Sequence, residues 1–284
     1  MIRTFSLPSL MLAFVLAGCG SQAIEAEPTP TLAGTVAQPI SLRALLRLVA
    51  ADILGGGAGA AAGGVLGSVI PGVGNATGAI VGGVICGASA TVEAANGTGL
   101  IVKPVAPIDP ANPLNAYDSV GWHHNAALEY TVAIVGPDGC IPSPVPRPQL
   151  KDILWQYAST RMQAPSQLLG SPELEAAWYD SLDFAAQGSQ GEIDVVIQNR
   201  VKSGKMTPNE GQWLVRYFGA VNPLGAAQIV ATTKSFEQEV MRDSQLTQQE
   251  VIDLLSAFSV ARYSTVYWAD QLARTNSPWR RCSK

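Results

Sequence analysis

Glycine recurs at four-residue intervals between Ile53 and Ala90, on both sides of a single Pro71-Gly72 break. Gly55, Gly59, Gly63 and Gly67 form one ladder, and Gly74, Gly78 and Gly82 form a second, continued by Cys86 and Ala90. Positions four apart on a helix lie nearly above one another, so each ladder is a furrow without side chains. Furrows of this kind let two helix backbones approach closely, as in the small-xxx-small pairs of membrane helices. The cost is conformational: each interior glycine disfavours a helix by about 1 kcal/mol relative to alanine. The first arm has seven of them. Such arms are helical only when packed against each other, against copies of themselves, or in a bilayer that forbids unpaired backbone groups. A flexible linker is the other reading, but linkers are rich in Ser and lack the interleaved Val, Leu and Ile found here.

Asp52 is the only charged residue between Leu48 and Val92. At 1.5 Å per residue, about 20 residues cross the roughly 30 Å of a hydrocarbon core, so each arm is long enough to span. Residues 41–95 are therefore expected to form a helical hairpin associated with a membrane. Ser41 is a candidate N-cap. It is followed by Leu42, Leu45, Leu46 and Val49 on one face, with Arg43 and Arg47 turned to headgroups or solvent.

The chain opens with Arg3, an apolar run from Phe5 to Val15, and Leu16-Ala17-Gly18-Cys19. A basic start, a short apolar stretch and small residues before a cleavage point read as a secretory signal over residues 1–18. Leu-Ala-Gly-Cys resembles the lipobox of bacterial lipoproteins, which implies lipidation of Cys19 and anchoring by its acyl chains. Gly20 follows where Asp would imply inner-membrane retention in that pattern, so the resemblance implies the outer membrane if the source has two. Residues 19–40, with Pro28, Pro30 and Pro39 among Thr, Ala and Glu, read as a tether. Lipobox and ladders together, over residues 16–90, resemble the glycine-zipper lipoproteins of bacterial envelopes, the group that includes the 17-kilodalton surface antigens. That resemblance implies a membrane-associated double-helix hairpin and carries no chemistry.

The partners expected are membrane lipid, through Cys19 and the hairpin, and a second copy of the chain through the glycine faces. A formal charge of −4 with scattered Lys and Arg gives no footprint for nucleic acid. With Cys19 lipidated, Cys86, Cys140 and Cys282 remain. Cys140 with Cys282 is the preferred disulfide, because Cys86 stands where the ladder wants a small residue.

Every Phe, Tyr and Trp beyond Cys19 lies at or after Tyr117. That concentration of large apolar side chains places a second domain at 112–284, after a proline-rich linker over 96–111. Its signals are helical. Asp118 to Val135 is one helix and Gln149 to Gln163 another; Ser171-Pro172-Glu173 opens a third, to Gln187. Thr207 with Glu210, and Thr247 with Glu250, form capping boxes, opening helices to Val221 and Arg274. Gly191 to Lys202 and Leu224 to Arg242 add two more, with Ile193 to Ile197 ambiguous between helix and strand. The fold class expected is all-α: a lipidated N-terminus, a glycine-zipper hairpin and an irregular helical bundle.

The densest polar cluster is Asn115 to Asn125, with both histidines of the chain. His124 is a weak candidate general base, with Asp118 or Glu129 as the carboxylate. Helical geometry opposes this, since six residues between Asp118 and His124 exceed one and a half turns. A bland alternative has Asp118 capping the helix and a histidine donating to a buried carbonyl. Adjacent histidines point about 100° apart, and no paired metal-ligand spacing is present, so no metal is expected. Phosphate-loop and nucleophile-elbow motifs are absent and no cofactor is expected. Tyr117-Asp118-x-x-Gly121-x-x-His124-Asn125, with Arg262-Tyr263-Ser264 and Tyr267-Trp268, resembles uncharacterised secreted bacterial proteins, from which no activity follows. The leading expectation is a non-enzymatic envelope lipoprotein with a structural or protein-binding helical domain. A pore-forming toxin or bacteriocin-like factor is the alternative, and a hydrolase using His124 is a weaker one.

Overall fold

A computed structural model describes residues 39–95, 107–136, 140–141, 144–188, 193–222, 224–274 and 277–279. The signal segment, Cys19, the tether up to residue 38 and Cys282 lie outside the described residues, and the last two tether residues belong to the first helix. Every regular element is an α-helix, and no strand occurs among the described residues. The hairpin consists of α1 (Pro39–Val69) and α2 (Asn75–Ala95). Eight helices follow: α3 (Asp118–Val135), α4 (Arg147–Arg161), α5 (Ser166–Leu169), α6 (Pro172–Gly188), α7 (Ile193–Lys202), α8 (Pro208–Val221), α9 (Ala226–Val240) and α10 (Gln248–Ala273).

The local signals act as their chemistry requires. Thr207 and Thr247 each accept from the backbone N–H of the glutamate three residues on, and Glu210 and Glu250 reach back to the threonine N–H groups. Ser171 Oγ accepts from Leu174 N at 3.1 Å and so caps α6. Ile193 to Ile197 is helical, with Ile197 fully buried. α1 begins at Pro39, so Ser41 lies inside the helix. α5 has no counterpart in the sequence reading; it is a single turn between Pro165 and Gly170, too short to show a period.

The hairpin forms as the ladders require, and the rest of the chain packs around it. α1 and α2 pack on each other from the level of Gly55 and Ala90 to that of Gly67 and Gly74, and then against α10, α6 and α3. Residues 37–284 make one compact unit, so the domain boundary expected near Asn112 marks no break in packing. The physical reason lies in side-chain volume. Both arms are built of Gly, Ala, Val, Leu and Ile, and the large side chains that close around them come from the second half of the chain. Trp178 of α6 donates its indole N–H to Ser89 Oγ of α2, and Trp268 of α10 donates to Asp52 Oδ2 of α1 at 3.1 Å. Both tryptophans are fully buried. By length and composition α1 and α2 are apolar enough to cross a membrane, yet 72% and 83% of their most apolar stretches are buried inside the protein.

Candidate functional site

The glycine ladders meet face to face. A Cβ built on Gly59 would stand 2.0 Å from the Gly82 carbonyl oxygen, and one on Gly63 would stand 2.0 Å from that of Gly78. At Gly67 the same test meets the Gly74 oxygen at 2.3 Å, and at Gly55 it meets Ala90 Cβ at 2.6 Å. Real Cβ atoms do not approach an oxygen this closely, so each rung needs glycine for proximity. The turn needs it for conformation, with φ of 81° at Gly72 and 76° at Gly74. The two faces expected to bind a second copy of the chain are thus occupied by each other.

One charge is enclosed with this hairpin. Asp52, fully buried on α1, accepts at Oδ2 from Ser264 Oγ and from the Trp268 indole. Its Oδ1 has no hydrogen-bond partner and lies 3.8 Å from His124 Nε2. His124, also fully buried, is held at both nitrogens: Nδ1 lies 3.1 Å from Asn125 Oδ1, and Nε2 lies 3.2 Å from Thr91 Oγ1. Asn125 Nδ2 donates to Tyr263 O, which turns Asn125 Oδ1 toward the imidazole and so places a proton on Nδ1. The nitrogen that would act as a base faces Thr91 and Asp52, and all three side chains are sealed from solvent. A general base must reach a substrate proton, and His124 faces no opening.

The carboxylates paired with His124 in the sequence reading are engaged elsewhere. Asp118 does not cap α3 through its side chain; Tyr117 is the N-cap residue and makes no side-chain bond. Instead Asp118 Oδ1 accepts from Arg262 Nη2 at 2.5 Å and from Asn112 N at 3.2 Å, and Oδ2 accepts from the Tyr263 hydroxyl at 3.0 Å. Glu129 is exposed and accepts a long 3.5 Å bond from Gln271. Arg262 is completely buried and also binds Glu237 Oε1, at 3.1 and 2.9 Å, and the Pro110 carbonyl. Asn112 and Asn115 complete Glu237, donating at 2.6 Å each. Arg262 thereby ties the 110–118 segment to α9 and α10.

These contacts explain both polar motifs singled out in the sequence. Asp118, Gly121, His124 and Asn125 lie along the α3 face turned to α10 and the hairpin. A Cβ on Gly121 would come within 2.4 Å of Ser259 O, so this glycine permits the close crossing. On α10, Arg262 and Tyr263 bind Asp118 and Asn125 of this face, while Ser264 and Trp268 bind Asp52 of α1. What reads as a reactive cluster is a closed seam that clasps α1 and α2. Among the seam's aromatic neighbours, His123 is half-buried, with Nδ1 3.1 Å from the Tyr157 hydroxyl; desolvation lowers its pKa and raises that of Tyr157 to about 12.

A second polar group was invisible in the sequence. The N-termini of α8 and α10 converge: Thr207 Oγ1 donates to Glu250 Oε1 at 2.7 Å. Beside them, burial and the adjoining Glu210 carboxyl push Asp253 up to about 9, so Asp253 keeps its proton at neutral pH. A shallow cleft adjoins this pair, lined by Gly57, Ala58 and Ala61 of α1 and by Lys205. Two capping boxes drawn to one point account for Glu210 and Glu250, because helix N-termini favour negative charge. Among the described residues no group of three or more His, Cys, Asp or Glu side chains is arranged to hold a metal ion.

Cys86 is a buried free thiol facing the ladder, and Cys140 is disulfide-bonded. Ile141 N donates to Pro278 O at 2.9 Å, which sets the Cys140 segment beside the turn just ahead of Cys282. No protein-family model, curated protein or solved structure matches this chain.

Proposed function

We propose that this protein is a non-enzymatic lipoprotein of the bacterial envelope, held to the membrane by lipid on Cys19. Its helical unit serves as a structural or protein-binding module built around the glycine hairpin. The observation that carries this reading is the closure of the Asp52–His124 seam. The polar residues best placed for chemistry hold helices together, and the lipobox Leu16-Ala17-Gly18-Cys19 gives the chain its attachment. The Cys140 disulfide fits an oxidising compartment outside the cytoplasm, and we take Cys282 as its partner. The test is Cys19→Ala in the native host with labelled palmitate. The variant should lose the label and leave the membrane fraction on washing with carbonate. Firm membrane retention with unchanged gel mobility would sink lipid anchoring.

A further inference from the structure

The hairpin is sheathed along most of its length but not at its end. Gly64 lies against Gln249, the second residue of α10; beyond that level the arms run on to the Pro71-Gly72 turn. In this tip Val65 is 57% exposed and Val69 70%, among the largest exposures of any apolar side chain among the described residues, with Ile70 partly buried beside them. Ser68, Asn75, Ala76 and Thr77 are exposed as well, and no charged residue occurs from Ile53 to Val92. From Gly64 to Pro71 the protrusion is about 10 Å at 1.5 Å per residue.

We propose that this tip, residues 65–77, is a second lipid contact, seating Val65, Val69 and Ile70 at the boundary of headgroups and acyl chains. The inference rests on lipid anchoring at Cys19 and adds a specific point of contact to it. A protrusion of about 10 Å matches the 5–10 Å to which interfacial helices sink, which is far short of a span. A protein partner is the poorer fit. The few aliphatic side chains here offer at most a few hundred Å², against the roughly 1,200 Å² of a stable protein interface. The glycine faces that would draw in a second copy are closed on each other.

The chain ahead of α1 permits the geometry. Twenty residues from Cys19 to α1 reach about 65–70 Å when extended. The 31 residues of α1 measure about 46 Å, so the tip can meet the same membrane that holds the lipid. With α1 oblique to the surface, a relaxed tether of about 25 Å suffices. Anchoring then supplies the high local concentration that a small apolar tip lacks alone.

The experiment places an environment-sensitive fluorophore on Ser68→Cys in the full lipidated chain, with the same label on Ser235→Cys of α9 as reference and the unsubstituted chain as background. Vesicles are phosphatidylethanolamine with a minority of phosphatidylglycerol. Emission at position 68 should shift to the blue and be quenched by lipid-borne quenchers, while position 235 stays aqueous. Adding Val65→Asp and Val69→Asp, both at exposed sites, should abolish the shift without releasing the protein from the vesicles. Aqueous emission at position 68 in floated protein would overturn the tip contact, as would equal shifts at both sites. Flotation reads the anchor separately: a chain that does not float refutes lipidation, while its emission with excess vesicles still reports on the tip.

Discussion

Replacing Gly63 by Ala inserts one methyl group where two helices touch backbone to backbone. The new Cβ would lie 2.0 Å from the Gly78 oxygen and 2.7 Å from its carbonyl carbon. Ordinary contact begins near 3.4 Å, so the arms must part locally by about 1.4 Å. The obstacle is main chain in the centre of the bundle and cannot swing aside. A gap of 0.5–1 Å already forfeits a quarter to a half of each contact's dispersion energy. The flanking rungs at Gly59 and Gly67 lose contact along with the substituted one. Overpacking of this kind costs about 3 kcal/mol or more, and the better helix propensity of alanine returns about 1 kcal/mol. The expected net loss is about 2 kcal/mol. Gly57, on the same helix, is the control: its Cβ would meet only Ala257 Cβ, at an ordinary 3.5 Å. There the propensity term stands alone, and Gly57→Ala should gain about 1 kcal/mol. The two variants should differ by about 3 kcal/mol in urea unfolding at unchanged m, or by about 6–12 °C in Tm for a unit of this size. Adding Gly78→Ala to Gly63→Ala should cost less than the sum of the single losses, since the first methyl has already parted that rung. Equal stabilities for Gly63→Ala and Gly57→Ala would refute the close-packing account of the ladder.

Two other predictions address the buried polar groups. Asp253 is raised from its ordinary 3.8 to about 9, so between those values the folded chain binds more protons than the unfolded chain. Its contribution to stability is therefore complete below about 3.8 and is lost as pH rises toward 9, at up to about 1.4 kcal/mol per pH unit. Urea unfolding across that window should show stability falling with pH, and Asp253→Asn should flatten the slope; an unchanged slope in the variant would exclude this pair as its source. Arg262→Lys keeps the charge but loses the fork that binds Glu237, Asp118 and the Pro110 carbonyl together. It should cost about 1.5–3 kcal/mol for each hydrogen bond to a charged group that lysine cannot make, and thermal unfolding near that of the natural chain would contradict the clasp.

The helices of the second half were legible because their ends carry local chemistry. The Thr207 and Thr247 capping boxes and the Ser171 cap act through neighbours three residues away, within the reach of a sequence pattern. The ladder was legible for a similar reason, its period being that of the helix itself. Its surroundings were not. A helix apolar on all sides is suited equally to lipid and to the centre of a protein, because both exclude water. The pairings that distinguish the two cases join residues far apart in the chain: Asp52 with Ser264 and Trp268, Ser89 with Trp178, Glu237 with Arg262. No period relates them. Asp118 shows the same limit, since a position at a helix start suggests a cap, while the guanidinium that claims it lies 144 residues onward.

One clue within the sequence did bear on the choice between lipid and protein. Asp52 is a charge in an otherwise uncharged arm, and an acid among acyl chains is costly unless a partner accompanies it. The aromatic residues carry the matching half of the clue, because a buried indole N–H needs an acceptor. α1 and α2 offer few side-chain acceptors, chiefly Asp52, Ser89 and Thr91, and the structure matches each with a side chain from the second half: Trp268 and Ser264, Trp178, and His124. A hairpin forming the core of a helical bundle uses polar groups at these three places to fix its register. Beyond the level of Asp52 the cover over α1 comes from α10: Val260 and Ala257 lie against Gly56 and Gly57, and Gln249 against Gly64. α10 begins at Gln248, so past Gly64 this helix has no further turn to lay on the hairpin, and the tip there is left bare.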